Sequence, residues 1–137
     1  MAIDAIGDFL TIIRNGIMVS KSFVIAPYSK MRFSIAEILK DEGFINDIVV
    51  DDTDPVRKKI KLFLRYVDGE SAIHHIQRSS VPSRRYYAGA KSIKPVIGKL
   101  GISILTTNRG VITNKKARAL GVGGEVICGA LLSASLE

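Results

Sequence analysis

Arg84-Arg85-Tyr86-Tyr87 sets two guanidiniums beside two phenol rings. Guanidinium forks fit phosphate oxygens and aromatic faces accept stacked bases, so the tetrapeptide suits irregular RNA. The plain alternative is a short strand with one core tyrosine and two solvated arginines. Further on, Thr106-Thr107-Asn108-Arg109-Gly110 reads as a polar hairpin tip. Short hydroxyls and an amide reach base edges and 2′-hydroxyls where long side chains would not fit. Asn and Gly are equally the residues of an ordinary β-turn. Spacing leaves both readings open. Gly121-Val122-Gly123-Gly124 follows a helical pattern and opens a strand, the reverse of the order a phosphate-cradling loop requires. Close backbone approach is expected there, for packing or for an RNA backbone. Glu125 orients an arginine, accepts from a base amine, or pairs with Arg118 as a strand-end residue.

Other chemistries find poor ground. His74 and His75 are adjacent. On a regular strand they face opposite ways, so without a bulge they do not share a metal. No acid or thiol stands at ligand spacing, and neither metal nor cofactor is expected. Cys128 is the single cysteine and lies in the apolar run Val126-Ile127-Cys128. A thiol buried there is inert, and no disulfide forms within the chain. General acid/base work wants paired carboxylates or an oriented histidine, and the sequence supplies neither near the basic motifs. An enzyme is not expected.

Charge supplies the reason for the motifs. Between Glu70 and Glu125 there is no carboxylate, and the 54 residues from Ser71 to Gly124 carry ten Lys and Arg. The first 54 residues hold five Lys/Arg against nine Asp/Glu, a net of −4, and the remainder carries +11. A one-sign stretch this long is costly unless a polyanion shares its surface. At 137 residues and 47% hydrophobic, the chain is long and apolar enough to bury a core. The N-terminus lacks a basic leader, no apolar run reaches membrane-spanning length, and cytosolic residence is expected.

These residues need elements to position them. Ile6, Leu10, Ile13 and Ile17 mark one helix face, with Asp4 as N-cap and Gly16 near the end. Ser29 caps a second helix carrying Met31, Ile35, Ile38 and Leu39, and Gly43 follows it. Phe44 to Val50 and Lys59 to Tyr66 read as strands, the latter alternating. Asp68-Gly69 signals a hairpin whose return strand is Ala72 to Arg78. Ile93, Val96, Ile97 and Leu100 mark a short helix. Ile102 to Thr106 and Val111 to Thr113 read as two strands around Thr107-Asn108-Arg109-Gly110, Asn114 caps a basic helix, and Glu125 to Cys128 forms the last strand. The expected class is α+β, with two modules, 1–78 and 84–137, joined by a Ser/Pro linker at 79–83.

With the elements placed, long strings resemble the bacterial small-subunit ribosomal protein eight family. At the front these are Asp4-Ala5-Ile6-Gly7-Asp8-Phe9-Leu10-Thr11, Ile13-Arg14-Asn15-Gly16 and Ile35 to Ile45. At the back they are Gly110-Val111-Ile112-Thr113, Ala117-Arg118 and Gly121 to Cys128. The likeness runs from Asp4 to about Cys128. It implies two α+β domains, direct binding to the central domain of small-subunit ribosomal RNA, early assembly, neighbouring ribosomal proteins and, in several bacteria, repression of the protein's own operon messenger. By position it assigns RNA contacts to Thr106, Thr107, Asn108, Arg85, Tyr87, Gly123, Gly124 and Glu125, with Lys30 added from the front module. Where the family has serines at the outer tip positions this chain has Thr106 and Asn108. The residues past Cys128 have no assigned role.

The resulting expectation is a structural RNA-binding protein without cofactor or membrane partner. Its contact set is Lys30, Arg84, Arg85, Tyr87, Thr106, Thr107, Asn108, Arg109, Gly123, Gly124 and Glu125. A nucleic-acid enzyme using Cys128 or His74, and a peripheral membrane protein held by charge, are the alternatives. The latter lacks a basic amphipathic helix of useful length.

Overall fold

The computed structural model describes residues 5–78, 87–88 and 101–132. Asp4, the 79–83 linker, Arg84, Arg85 and the stripe from Ile93 to Leu100 lie outside the described residues. The helical spacing at the front folds as α1, Ala5–Met18, with Leu10 and Ile13 fully buried. The helix does not stop at Gly16. A Cβ there would overlap the Val24 side chain, so the glycine lets α1 lie close on β1, Phe23–Pro27. Next comes α2, Lys30–Asp41, where the Ser29 hydroxyl accepts from the Arg32 N–H and Gly43 takes φ +83 just past the end. Strand β2, Ile45–Asp51, and strand β3, Lys59–Leu64, complete a three-stranded antiparallel sheet in the order β1-β3-β2. The alternation of β3 holds: Ile60, Leu62 and Leu64 are buried beneath the helices.

Asp68-Gly69 does turn the chain, with positive φ at both residues, but only into a miniature hairpin of β4, Tyr66–Val67, and β5, Glu70–Ser71. The expected return strand corrects differently. It is β6, Ile73–Arg78, and it leaves the first sheet to pair antiparallel with the last strand of the chain. Ile73 and Ile76 are both buried, three positions apart, which a regular strand does not permit. A bulge resolves the conflict: Ile73 pairs with Leu132 and His75 with Leu131, leaving His74 as the extra residue. Both histidines are consequently exposed.

The second sheet runs β6-β10-β8-β9, with β7, Tyr87–Ala88, also on β10. Strand β8 is Gly101–Thr107 and β9 is Gly110–Thr113. The helix α3, Asn114–Leu120, follows β9 directly. Strand β10 covers Gly124–Leu132, well past the expected end at Cys128, because β6 and β8 flank it on both sides and satisfy its backbone. Thr113, not Asn114, caps α3: its hydroxyl accepts from the Lys116 N–H at 3.2 Å. The Asn114 side chain is 1% exposed and accepts from the Ser103 N–H instead. The architecture is α+β, and one apolar core runs from Phe9, Ile35 and Leu62 through Ile76 to Ile104 and Ile127.

Ile76 sits where that core passes from the helices to the second sheet. Ile76→Ala is expected to lower unfolding stability by roughly 2–5 kcal/mol. Urea denaturation checks this, with the slope unchanged if the fold is retained.

Candidate nucleic-acid interface

The hairpin of β8 and β9 closes through Asn108-Arg109, with Thr107 opposite Gly110. Neither loop residue takes positive φ; the reversal is completed by Gly110 at φ +102. Thr107 is built into this turn. Its hydroxyl donates to the Gly110 carbonyl and accepts from the Arg109 N–H, both at 3.0 Å. The tip is thus a hydroxyl-braced turn and a polar display together. Asn108 and Arg109 are exposed, and Thr106 is half-buried behind them.

Beside the tip, β10 begins. Glu125 pairs with Thr106 on one side and with Tyr87 on the other, and Gly124 pairs with Ala88. A Cβ at Gly124 would overlap the Thr106 carbonyl and stand 3.0 Å from the Thr107 methyl. This glycine serves close packing of two strands, not a loop, while Gly121 takes φ +68 to end α3. A small apolar cluster of Leu105, Ile112, Ala117 and Val126, with Val122 against it, anchors the hairpin, α3 and β10 beneath the tip. Thr106, Thr107, Asn108, Gly124, Glu125 and the Tyr87 backbone therefore gather at one end of one sheet, with Gly123 leading into it. Arg84 and Arg85 lie outside the described residues.

Three further residues have defined places in the structure. Glu125 is 8% exposed and is not a free surface acid. Lys30 is exposed at the first turn of α2, whereas the last turns of that helix, at Glu37, Asp41 and Glu42, line a cleft with Lys115 and Lys116. Along the helix axis Lys30 lies about 6 Å before Ser34, the near edge of that cleft, and about 16 Å before Asp41. Arg78, one of the ten Lys and Arg between Ser71 and Gly124, turns inward. Its guanidinium donates to the Ile127 carbonyl at 2.9 Å. Ile127 is the extra residue where β10 shifts register against β8, so the arginine satisfies the acceptor that the bulge displaces. No local pattern in the sequence signals that role.

The thiol chemistry is disposed of by position. Burial pushes the Cys128 thiol up to about 12, only weakly opposed by the Arg78 charge. Among the described residues no cluster of His, Cys, Asp and Glu is placed to hold a metal ion.

Residues 4–130 match the family described as ribosomal protein S8. This chain belongs to the ribosomal protein S8 family. Similar members carry the name small ribosomal subunit protein uS8. Those of Delftia acidovorans and Burkholderia lata are 47% and 46% identical over 125 residues, and that of Marinobacter nauticus 48% over 126. Each alignment spans 91% of this chain and 95% of the relative. The matched region takes in both sheets and the whole tip. The S8 fold in this chain thus includes every described element that shapes the interface.

Two outcomes follow from this geometry. Gly124→Val forces β10 and β8 apart, because a backbone carbonyl cannot rotate out of the way. It is expected to cost about 1–3 kcal/mol and to shift the Thr106 and Thr107 amide resonances while leaving those of α1 in place. Cys128 is expected to resist iodoacetamide in the native protein at pH 8, well below its raised pKa where the neutral thiol persists, and to alkylate fully in denaturant.

Proposed function

We propose that this chain, a structural component of the small ribosomal subunit, binds the central domain of small-subunit ribosomal RNA directly through the tip end of its second sheet. The relatives named above are small-subunit proteins, not enzymes, and the ribosome is the place of action in the cytoplasm. One observation carries the RNA reading. The turn at 107–110 and the start of β10 come together inside the stretch of sequence without carboxylates, and Glu125, the acid that ends that stretch, is buried.

The reading divides the labour between charge and shape. Lys and Arg of the module 84–137, Arg84, Arg85 and Arg109 among them, neutralise phosphates and supply salt-dependent affinity without discrimination. Lys30 adds a contact from the module 1–78. The major groove of A-form RNA is too deep and narrow for side chains, so reading falls to short polar groups against an irregular, unpaired segment. Asn108 offers donor and acceptor at the apex. Thr107 fixes the apex by bracing the turn, and Thr106 lies behind it. Tyr87 stacks on an exposed base, worth about 1–3 kcal/mol. Gly123 lets an RNA backbone approach without a side chain in the way, while Gly124, packed on the Thr106 carbonyl, holds the start of β10 against β8 behind it. A messenger hairpin of the same shape would occupy the same surface, which is the route to repression of the protein's own operon.

Filter binding to a central-domain hairpin and to random duplex, across a salt series, tests this. Asn108→Ala is expected to weaken hairpin binding about tenfold, the loss of one hydrogen bond of about 1.4 kcal/mol, with the duplex unaffected. Arg109→Gln is expected to weaken both RNAs and to reduce the salt slope by about one. Equal losses on both RNAs for Asn108→Ala would defeat the reading.

A further inference from the structure

The described helices α1 and α2 cover one face of the first sheet. On the other face the register aligns three rows: Phe23–Phe63–Asp47, Ile25–Lys61–Val49 and Pro27–Lys59–Asp51. Apolar side chains that ought to be covered stand in the open there, Phe23 at 37%, Ile25 at 51% and Val49 at 47% exposed. At their centre Lys61 lies 4.0 Å from the Phe23 ring centroid and 5.0 Å from that of Phe63.

The acids of this face are answered locally, and Lys61 meets only the two phenyl rings. Asp47 accepts from its neighbour, the Ile48 N–H, and pairs with Lys40 at 3.1 Å. Asp51 is held below its ordinary pKa first by the Thr53 hydroxyl and N–H, with a smaller pull from Lys59. Lys61 faces Ile25 and Val49 across the strands and forms no ion pair among the described residues. A cation ringed by apolar side chains calls for a carboxylate carried between aliphatic groups, because the ring then excludes water around the pair. RNA fits worse: Ile25 and Val49 offer nothing to phosphates, and Asp47 and Asp51 repel them.

We infer that the outer face of the β1-β3-β2 sheet docks a neighbouring protein through a segment that places an Asp or Glu, flanked by aliphatic side chains, against Lys61. This does not depend on how the hairpin tip reads RNA. The test is made in assembled small subunits, with Val49 replaced by p-benzoylphenylalanine in the full chain and the adduct identified by mass spectrometry after irradiation. The expected result is one protein adduct whose peptide holds an acid between aliphatic residues. Lys61→Glu is expected to cut its yield about tenfold while Lys61→Arg retains it. A Lys61→Glu chain missing from subunits, yet binding the RNA hairpin normally, also supports the docking face. An adduct to RNA or to a second copy, no adduct, a yield indifferent to Lys61→Glu, or a Lys61→Glu chain that loses hairpin binding would overturn it. Hairpin binding measured alongside keeps this result separate from any failure of the RNA reading.

Discussion

Strand β10 is the constraint on which the rest depends. It pairs with β8 along most of its length, with β6 at its far end and with β7 at its start. No other described strand has three partners. Two conditions make this possible. Gly124 removes the Cβ that would collide with Thr106, and two register shifts, at Ile127 and opposite His74, fit the strand to unequal neighbours. The bulges displace backbone groups, and Arg78 restores one of them by bonding the Ile127 carbonyl. Without β10, the hairpin, β6 and β7 would be separate pieces, and the tip would have no base.

Charge follows the same division between support and display. The chain is acidic in front and basic behind. Folding brings the acidic last turns of α2 across a cleft from Lys115 and Lys116. Those two lysines meet the field of nearby carboxylates, whereas Arg109 stands at the tip with no acid in its hairpin. The basic stretch is thus not one uniform cationic surface; the fold screens one part of it and leaves another bare.

Much of the framework is legible in the residues because its signals are local. The spacing of Leu10 and Ile13, the Ser29 cap, the glycine after α2 and the alternation of β3 each report on a few neighbouring residues, and each appears in the structure. Local signals also mislead. Asp68-Gly69 announces a hairpin, and a hairpin forms, but only two residues long on each side. Whether Ile73 and Ile76 continue that sheet or join another depends on which distant strand can cover them. Asn114 looks like a cap, and only the approach of Ser103 shows that its side chain is engaged elsewhere.

The sequence by itself determined the α+β class, the helices and strands of the front half, the segregation of charge and the residue types at the tip. Periodicity, caps and turn glycines act over a few residues, and ionic character is a matter of composition. Only the tertiary structure decided that the tip lies against Gly124 and Glu125, that Glu125 is buried, that Arg78 braces a bulge, and that Lys61 stands over two phenyl rings on an open apolar face. These are relations between strands far apart in the chain. Register, bulges and close approach arise only when side chains compete for one core, and no short stretch of sequence records the outcome of that competition.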